Sequence, residues 1–318
     1  MARARLASHA ARLLALGMLT TLAACTPRPV LPPPQSVIAP ESPLRKPAPS
    51  PEIAIAEEAV QGAVLIGRAP VGTTTITLDG KAVPLAADGR FLVGFGRDAG
   101  PRSVVAATLA DGTVVSRPVR VIPRVYDEQR VEGLPPATVT LPPALKARRA
   151  AEVAKMVAAR AKPSPEIGWT HGFILPTAGR VTGVYGSRRI RNGVPGSPHN
   201  GLDLANVTGT PVVAPADGIV RLAEPDFLLE GGLVIIDHGL GLYSAFLHLS
   251  RLDVATGDRL LRGQQVGAIG ATGRATGPHL HWGARWGETF VDPALLPGLP
   301  DLGGTGGAPA PVLTTPTQ

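Results

Sequence analysis

Turn signals recur along this chain at intervals that leave little room for long helices. Asp79-Gly80, Asp88-Gly89 and Asp111-Gly112 separate short runs such as "AVLIG", "TTITL", "RFLVGF" and "SVVAATL". Asp-Gly suits the left-handed dihedrals of tight hairpins, and β-branched runs suit strands. The 38 glycines, 34 prolines and 17% charged residues point the same way, toward many short strands. The chain is therefore expected to be mainly β. At 318 residues it is long enough for about two domains. Residues 59–126 read as a small β-sandwich-like module, because several short strands follow at regular spacing. The linker 127–166 is expected to contain a helix, since "PPALKARRAAEVAKMVAARAKPSP" is rich in alanine, lysine and arginine. Leu145, Val153, Met156 and Val157 form its expected apolar stripe, and Pro163 and Pro165 end it. From residue 167 strands and glycine turns resume. The tail, 298–318, is Gly/Pro/Thr-rich and is expected to lack regular structure.

The N-terminus reads as an export signal over residues 1–24, with basic residues, an apolar run and small residues before Cys25. "LAAC" resembles the bacterial lipobox, which implies lipidation of Cys25 and anchorage to a membrane. Cys25 is the sole cysteine of the chain, and a lone unlipidated thiol would be a liability in an exported protein. Thr26 follows Cys25, and the resemblance to Gram-negative lipoproteins without an aspartate there implies the outer membrane, facing the periplasm. The proline-rich segment 25–58 reads as a semi-extended tether. Arg3, Arg5 and Arg12 supply three of the net charge of +7. What remains suits an anionic surface or polymer without identifying one. The sequence holds no basic stripe interleaved with aromatics, so nucleic acid is not expected as a partner.

Five of the seven histidines fall between 199 and 281. "HNGLD" places His199 and Asp203 four apart, on one face of a strand or of a helix. "AFLHLS" carries His248 in an apolar, strand-like setting. "PHLHW" carries His279 and His281, which point to one face of a strand. Two neighbouring imidazoles make a poor core. They suit a metal, or one ligand beside a proton-transfer group. Two histidines, a carboxylate and a water form a common catalytic zinc shell, and zinc brings the bound water toward neutral pKa. G-x-S-x-G and H-E-x-x-H are both absent, which removes a serine elbow and the thermolysin arrangement. His238 and Asp237, in "IIDHGLG", read as structural residues of a hairpin turn, and His171 and His9 are given no role.

Taken in order, "HNGLDLA", "TGTPVVAPADGIV", "FLHLS", "GQQVGAIGATGRATGPHLHWG" and "VDPALL" resemble the lysostaphin/LytM family of zinc metallopeptidases over about residues 167–297. "VYGSRR" resembles the family's entry motif. The resemblance implies an antiparallel β-rich domain with an open groove and one Zn2+ per peptidase domain. It implies His199, Asp203 and His281 as metal ligands, with His248 and His279 as catalytic residues. Arg188 in "GSRR" is a candidate contact for a substrate carboxylate, which a guanidinium fork fits. Phe246 stands where many relatives carry tyrosine, and Trp282-Gly283 where others carry Phe-Glu; both departures are expected to tune the groove. The implied activity is hydrolysis of peptidoglycan stem-peptide cross-links at D-Ala–diaminopimelate bonds. Relatives that lack the ligands suggest an alternative, a non-catalytic peptidoglycan-binding activator of cell-wall amidases, but all five positions are filled here. A secreted bacteriolysin is disfavoured by the anchor. The β module would serve as a spacer or contact an envelope protein partner.

Overall fold

Twenty-one short strands, one α-helix and three short 3-10 turns form the regular structure of the described residues. The computed structural model describes residues 51–131, 143–191 and 193–302. Cys25, the export signal, residues 25–50 of the tether and residues 303–318 of the tail lie outside them. The first module holds β1 (Glu58–Val60), β2 (Val64–Arg68), β3 (Thr73–Leu78), β4 (Lys81–Val83), β5 (Arg90–Gly94), β6 (Arg102–Leu109) and β7 (Val114–Ile122). A five-stranded sheet, β1-β7-β6-β3-β4, faces the two-stranded β2-β5 pair across a core of Ile76, Phe91, Val93, Val105 and Val119. Burial alternates along β6, as a half-buried antiparallel strand requires. Asp79 and Gly80 both have positive φ (50° and 78°) and close the β3–β4 hairpin, so that turn signal reads through to structure. Residues 53–58 differ from the tether expected there. Ile53 is 1% exposed in the module core, and Ala54 bridges to Arg68.

The linker holds the expected helix and, in addition, an unexpected strand. β8 (Glu128–Val131) pairs in parallel with β10, below, and α1 covers Lys146–Ala158. The strands that follow are β9 (Arg180–Gly183), β10 (Arg188–Arg191), β11 (Val194–Pro195), β12 (Gly201–Ala205), β13 (Pro211–Val213), β14 (Gly218–Phe227) and β15 (Gly231–Gly239). They continue with β16 (Leu242–Leu249), β17 (Arg251–Leu252), β18 (Arg259–Leu260), β19 (Gln265–Ala268), β20 (His279–Trp286) and β21 (Thr289–Val291). The main sheet runs β18-β14-β15-β16-β20-β12-β9, with β21 also on β20. Its inner face (Val220, Val234, Ile236, Phe246, Leu280, Trp282) packs on Val212, Val266 and Ile269, residues of or just beside the small β13-β19-β17 sheet. The other face carries Leu233, Ile235, Tyr243 and Leu247, then the histidines.

Helix α1 docks on that second face largely through charge. Arg149 forks onto Glu230 (2.6 and 2.8 Å), Lys155 meets Glu224 (2.6 Å), and Arg148 meets Asp226 and Glu152. Met156 and Ala159 supply the apolar contact. The expected stripe is buried only in part: Met156 packs, but Val153 and Val157 are exposed, and Glu152 is buried, accepting from the Leu228 amide. Among the described residues no helix is long and apolar enough to cross a membrane.

The two modules are joined through buried polar contacts. Arg124 pairs with Asp292 at 2.8 Å, with side chains 4% and 1% exposed. Arg97 donates to the Gly186 carbonyl (2.8 Å), and Tyr126 packs edge-on to Tyr185.

Candidate metal centre

Asp203 on β12 and His281 on β20 are directly opposite one another in antiparallel register. Such pairs bring side chains of one face into contact. His281 Nδ1 lies 2.9 Å from Asp203 Oδ1. His199, in the loop before β12, completes the group, with Nε2 3.0 Å from Asp203 Oδ1 and 3.1 Å from His281 Nδ1. These three atoms are the one candidate metal-binding group found among the described residues.

The turn at residues 184–187 orients His199. Its Nδ1 donates to the Val184 carbonyl (3.0 Å), its amide to the Ser187 carbonyl, and its own carbonyl accepts from Gly186. A carbonyl can only accept, so the proton sits on Nδ1 and the lone pair on Nε2 faces inward. An acceptor nitrogen 3.0 Å from a carboxylate oxygen repels it unless a cation lies between them. The edges of a tetrahedral zinc shell measure about 3.3 Å, close to the three separations here, so the donor set fits zinc. Burial pushes the Asp203 carboxyl upward, but the flanking His199 and His281 imidazoles hold it well below the usual range. Burial lowers His281; for His199 the same burial effect is outweighed by Asp203, and the net shift is upward. Gly183 and Gly201 leave room for the ligands. A Cβ at 201 would sit 2.7 Å from His281 Nε2, and one at 183 would sit 2.9 Å from Asp203 Cγ and closer still to Oδ2.

His279 shares the face of His281. Its Nδ1 donates to the Gly277 carbonyl (2.8 Å), and its Nε2 lies 3.9 Å from Asp203 Oδ1. His248 reaches the same place by an irregular route. On strict alternation it would follow Phe246 into the core, because Phe246 opposes Trp282. A bulge intervenes: two β16 residues, Leu247 and His248, stand against Leu233 alone on β15, and His248 has φ 64°. That left-handed residue turns the imidazole to the histidine face. The ring centroid of His248 is 4.8 Å from that of His279. Its Nδ1 donates to the Thr272 carbonyl (2.8 Å), and burial lowers its pKa, which keeps the ring neutral with Nε2 free to accept.

The other sequence candidates are also placed. Arg188 lies on the groove wall, but its guanidinium is hydrogen-bonded to Glu128 on β8. Phe246 and Trp282 face the core, both 0% exposed, so those two departures shape the core, whereas Gly283 lines the groove. His238 is structural. Trp282 Nε1 donates to Ser244 Oγ, Ser244 donates to His238 Nε2, and His238 Nδ1 donates to the Asp217 carbonyl. Asp237 accepts from the Gly239 amide, as a turn residue does, and also pairs with Arg221. The residues that escaped the sequence reading are Gly183, Val184 and Thr272, which act through backbone or through the lack of a side chain.

A family model described as Peptidase family M23 matches residues 197–293. A crystal structure described as a peptidase M23 from Pseudomonas aeruginosa is 30% identical, with a TM-score of 0.57. The superposition covers 74% of this chain and 93% of that one. The chain belongs to peptidase family M23. Among curated M23-like relatives, the peptidoglycan DD-endopeptidase ShyA of Vibrio cholerae is 44% identical over 86 residues, 27% of this chain and 20% of that protein. The cell division protein DipM of Caulobacter vibrioides is 32% identical over 130 residues, 39% of this chain and 20% of DipM. The chain thus spans about a fifth of the length of these relatives. In M23 terms, the match begins two residues before His199 and ends just past Asp292, so it encloses all five site residues.

Proposed function

We propose that this chain is a zinc endopeptidase that hydrolyses peptide cross-links of peptidoglycan, at D-Ala–diaminopimelate bonds. One observation carries the reading: His199, Asp203 and His281 converge within hydrogen-bond distance on an open groove, with two further imidazoles beside them. The family match and relatives named DD-endopeptidases support the substrate class. His199, Asp203 and His281 would hold one zinc ion. When bound, that ion supplies a Lewis acid and an acidified water. His248 and His279 present Nε2 toward the site. One, neutral, takes the proton of the attacking water at Nε2; the other, when it carries a proton on Nε2 as well as on Nδ1, donates to the oxygen on which charge develops. Their Nδ1 protons stay fixed on the Thr272 and Gly277 carbonyls, so each ring acts through a single nitrogen. The intact ligand set favours this reading over a non-catalytic amidase activator.

In the same reading Cys25 is lipidated, the chain is held at the outer membrane facing the periplasm, and Arg188 bears on substrate only indirectly, by tying the groove wall to β8. The β module is the surface left for an envelope partner. The test is mass spectrometry of purified sacculi digested by wild type, His281→Ala and His248→Ala with zinc present. Cross-linked muropeptides should be converted to monomers by wild type alone. Wild-type protein that leaves them intact overturns the proposal.

A further inference from the structure

Six arginines line the groove, and they are not equally satisfied. Arg149 is forked onto Glu230, Arg188 is bonded to Glu128, and Arg189 donates to Gln129. Arg274 is exposed to water and needs no ligand. Arg160 and Arg285 are different. Arg160 follows the C-terminus of α1 and is pinned over the sheet by its backbone: its carbonyl accepts from the Tyr243 hydroxyl at 3.1 Å. Tyr243 is the cross-strand partner of Arg285. The Arg160 backbone is thus fastened above the residue that opposes Arg285, and both side chains line the groove.

The Arg160 side chain is half-buried and makes no hydrogen bond or ion pair with another described residue. Arg285 stacks on Phe290 (4.4 Å) and donates through Nη2 to Glu288, whose carboxylate is 90% exposed; its Nε is buried without a partner. Burial and then the charge of Arg285 hold the Arg160 pKa below the usual arginine range. Two guanidiniums that have only the well-hydrated Glu288 beside them are mutually unfavourable. An anion between them would reverse that and would satisfy the open donors.

We propose that Arg160 and Arg285 form a carboxylate-binding subsite that recognises an acidic group on the peptide substrate. Arg285 is four residues along β20 from His281, about 13 Å at strand rise. An extended peptide covers that in about four residues. The enzyme is therefore selective for peptides carrying a free carboxylate at that remove from the cleaved bond. This rests on the endopeptidase reading, and it makes the linker part of the groove.

The experiment uses the full zinc-loaded chain and two synthetic cross-linked peptides. They differ only in whether a carboxylate about four residues from the D-Ala–diaminopimelate bond is free or amidated. Wild type should show a KM about 10- to 100-fold lower for the free acid, with kcat within about twofold. Arg160→Gln should lose that discrimination. Arg160→Lys, which keeps charge without the fork, should retain part of it. Both variants leave the backbone bond to Tyr243 in place. Equal KM for the two peptides in wild type, or unchanged discrimination in Arg160→Gln, overturns the subsite. If wild type cuts neither peptide, the endopeptidase reading fails separately. Fluorescence anisotropy of the labelled pair then decides the subsite: tighter binding of the acid that Arg160→Gln abolishes upholds it, and equal Kd overturns it.

Discussion

Substituting Gly183 by alanine adds one methyl group, and the structure says where it lands. The new Cβ would lie 2.9 Å from Asp203 Cγ and 3.1 Å from His199 Cε1. Carbon contacts are comfortable at about 3.5–4.0 Å, so the shortfall is roughly 0.5–1 Å. Rotating the carboxylate about its own bond does not move Cγ, so the whole Asp203 side chain must swing away. A metal–oxygen bond of about 2.0–2.2 Å does not tolerate such a shift. One ligand of three is lost or badly placed. The expected fall in zinc affinity is about 100-fold, or about 2.7 kcal/mol. The backbone should not object, because Gly183 is not among the residues with positive φ, and alanine at an unstrained position is neutral or slightly stabilising. Competition against a chromophoric chelator reads the affinity. Gly100→Ala, whose Cβ meets nothing within 4 Å, is the control. Wild-type zinc affinity in Gly183→Ala would refute the steric argument, as would an equal loss in the control.

Two further outcomes follow from the same geometry. His248→Asn keeps a side chain that tolerates the left-handed backbone but lacks the imidazole; kcat should fall by about 100- to 10,000-fold with zinc content unchanged, and loss of zinc would show that His248 is a ligand instead. His238 is buried neutral, its pKa pushed down to about 4 by burial. The unfolded chain takes up a proton near pH 6.5. The stabilisation is therefore complete above about pH 6.5 and declines as pH falls toward 4, by on the order of 3 kcal/mol. Urea unfolding of wild type and His238→Gln at pH 7.5 and 4.5 measures it: the variant should lack this component of the acid loss, and parallel losses in the two proteins would contradict the assignment.

The grouping of His199, Asp203 and His281 was legible because these residue types in this order are chosen for chemistry more than for packing. His199, Asp203 and His281 stand out in the sequence as chemistry that a core would not choose. The strands were legible from their punctuation, as at Asp79-Gly80. What stayed hidden depends on backbone geometry. Period two sends His248 to the core with Phe246, and only the bulge reverses it. The Glu128–Arg188 pair joins a linker to a strand 60 residues on, and nothing local in either segment announces it. The docking face of α1 was read only in part, because charge pairs with β14 and the turn after it, more than apolar spacing, select it.

The leading module also reaches further than its distance from the histidines suggests. Arg97 grips the turn whose carbonyls frame His199, Arg124 is locked to Asp292, and β8 runs alongside β10. A lineage that traded this module for another would not make a neutral exchange. The newcomer would have to bring its own arginine to Gly186 and its own strand to the groove wall, or His199 would lose the scaffold that aims it.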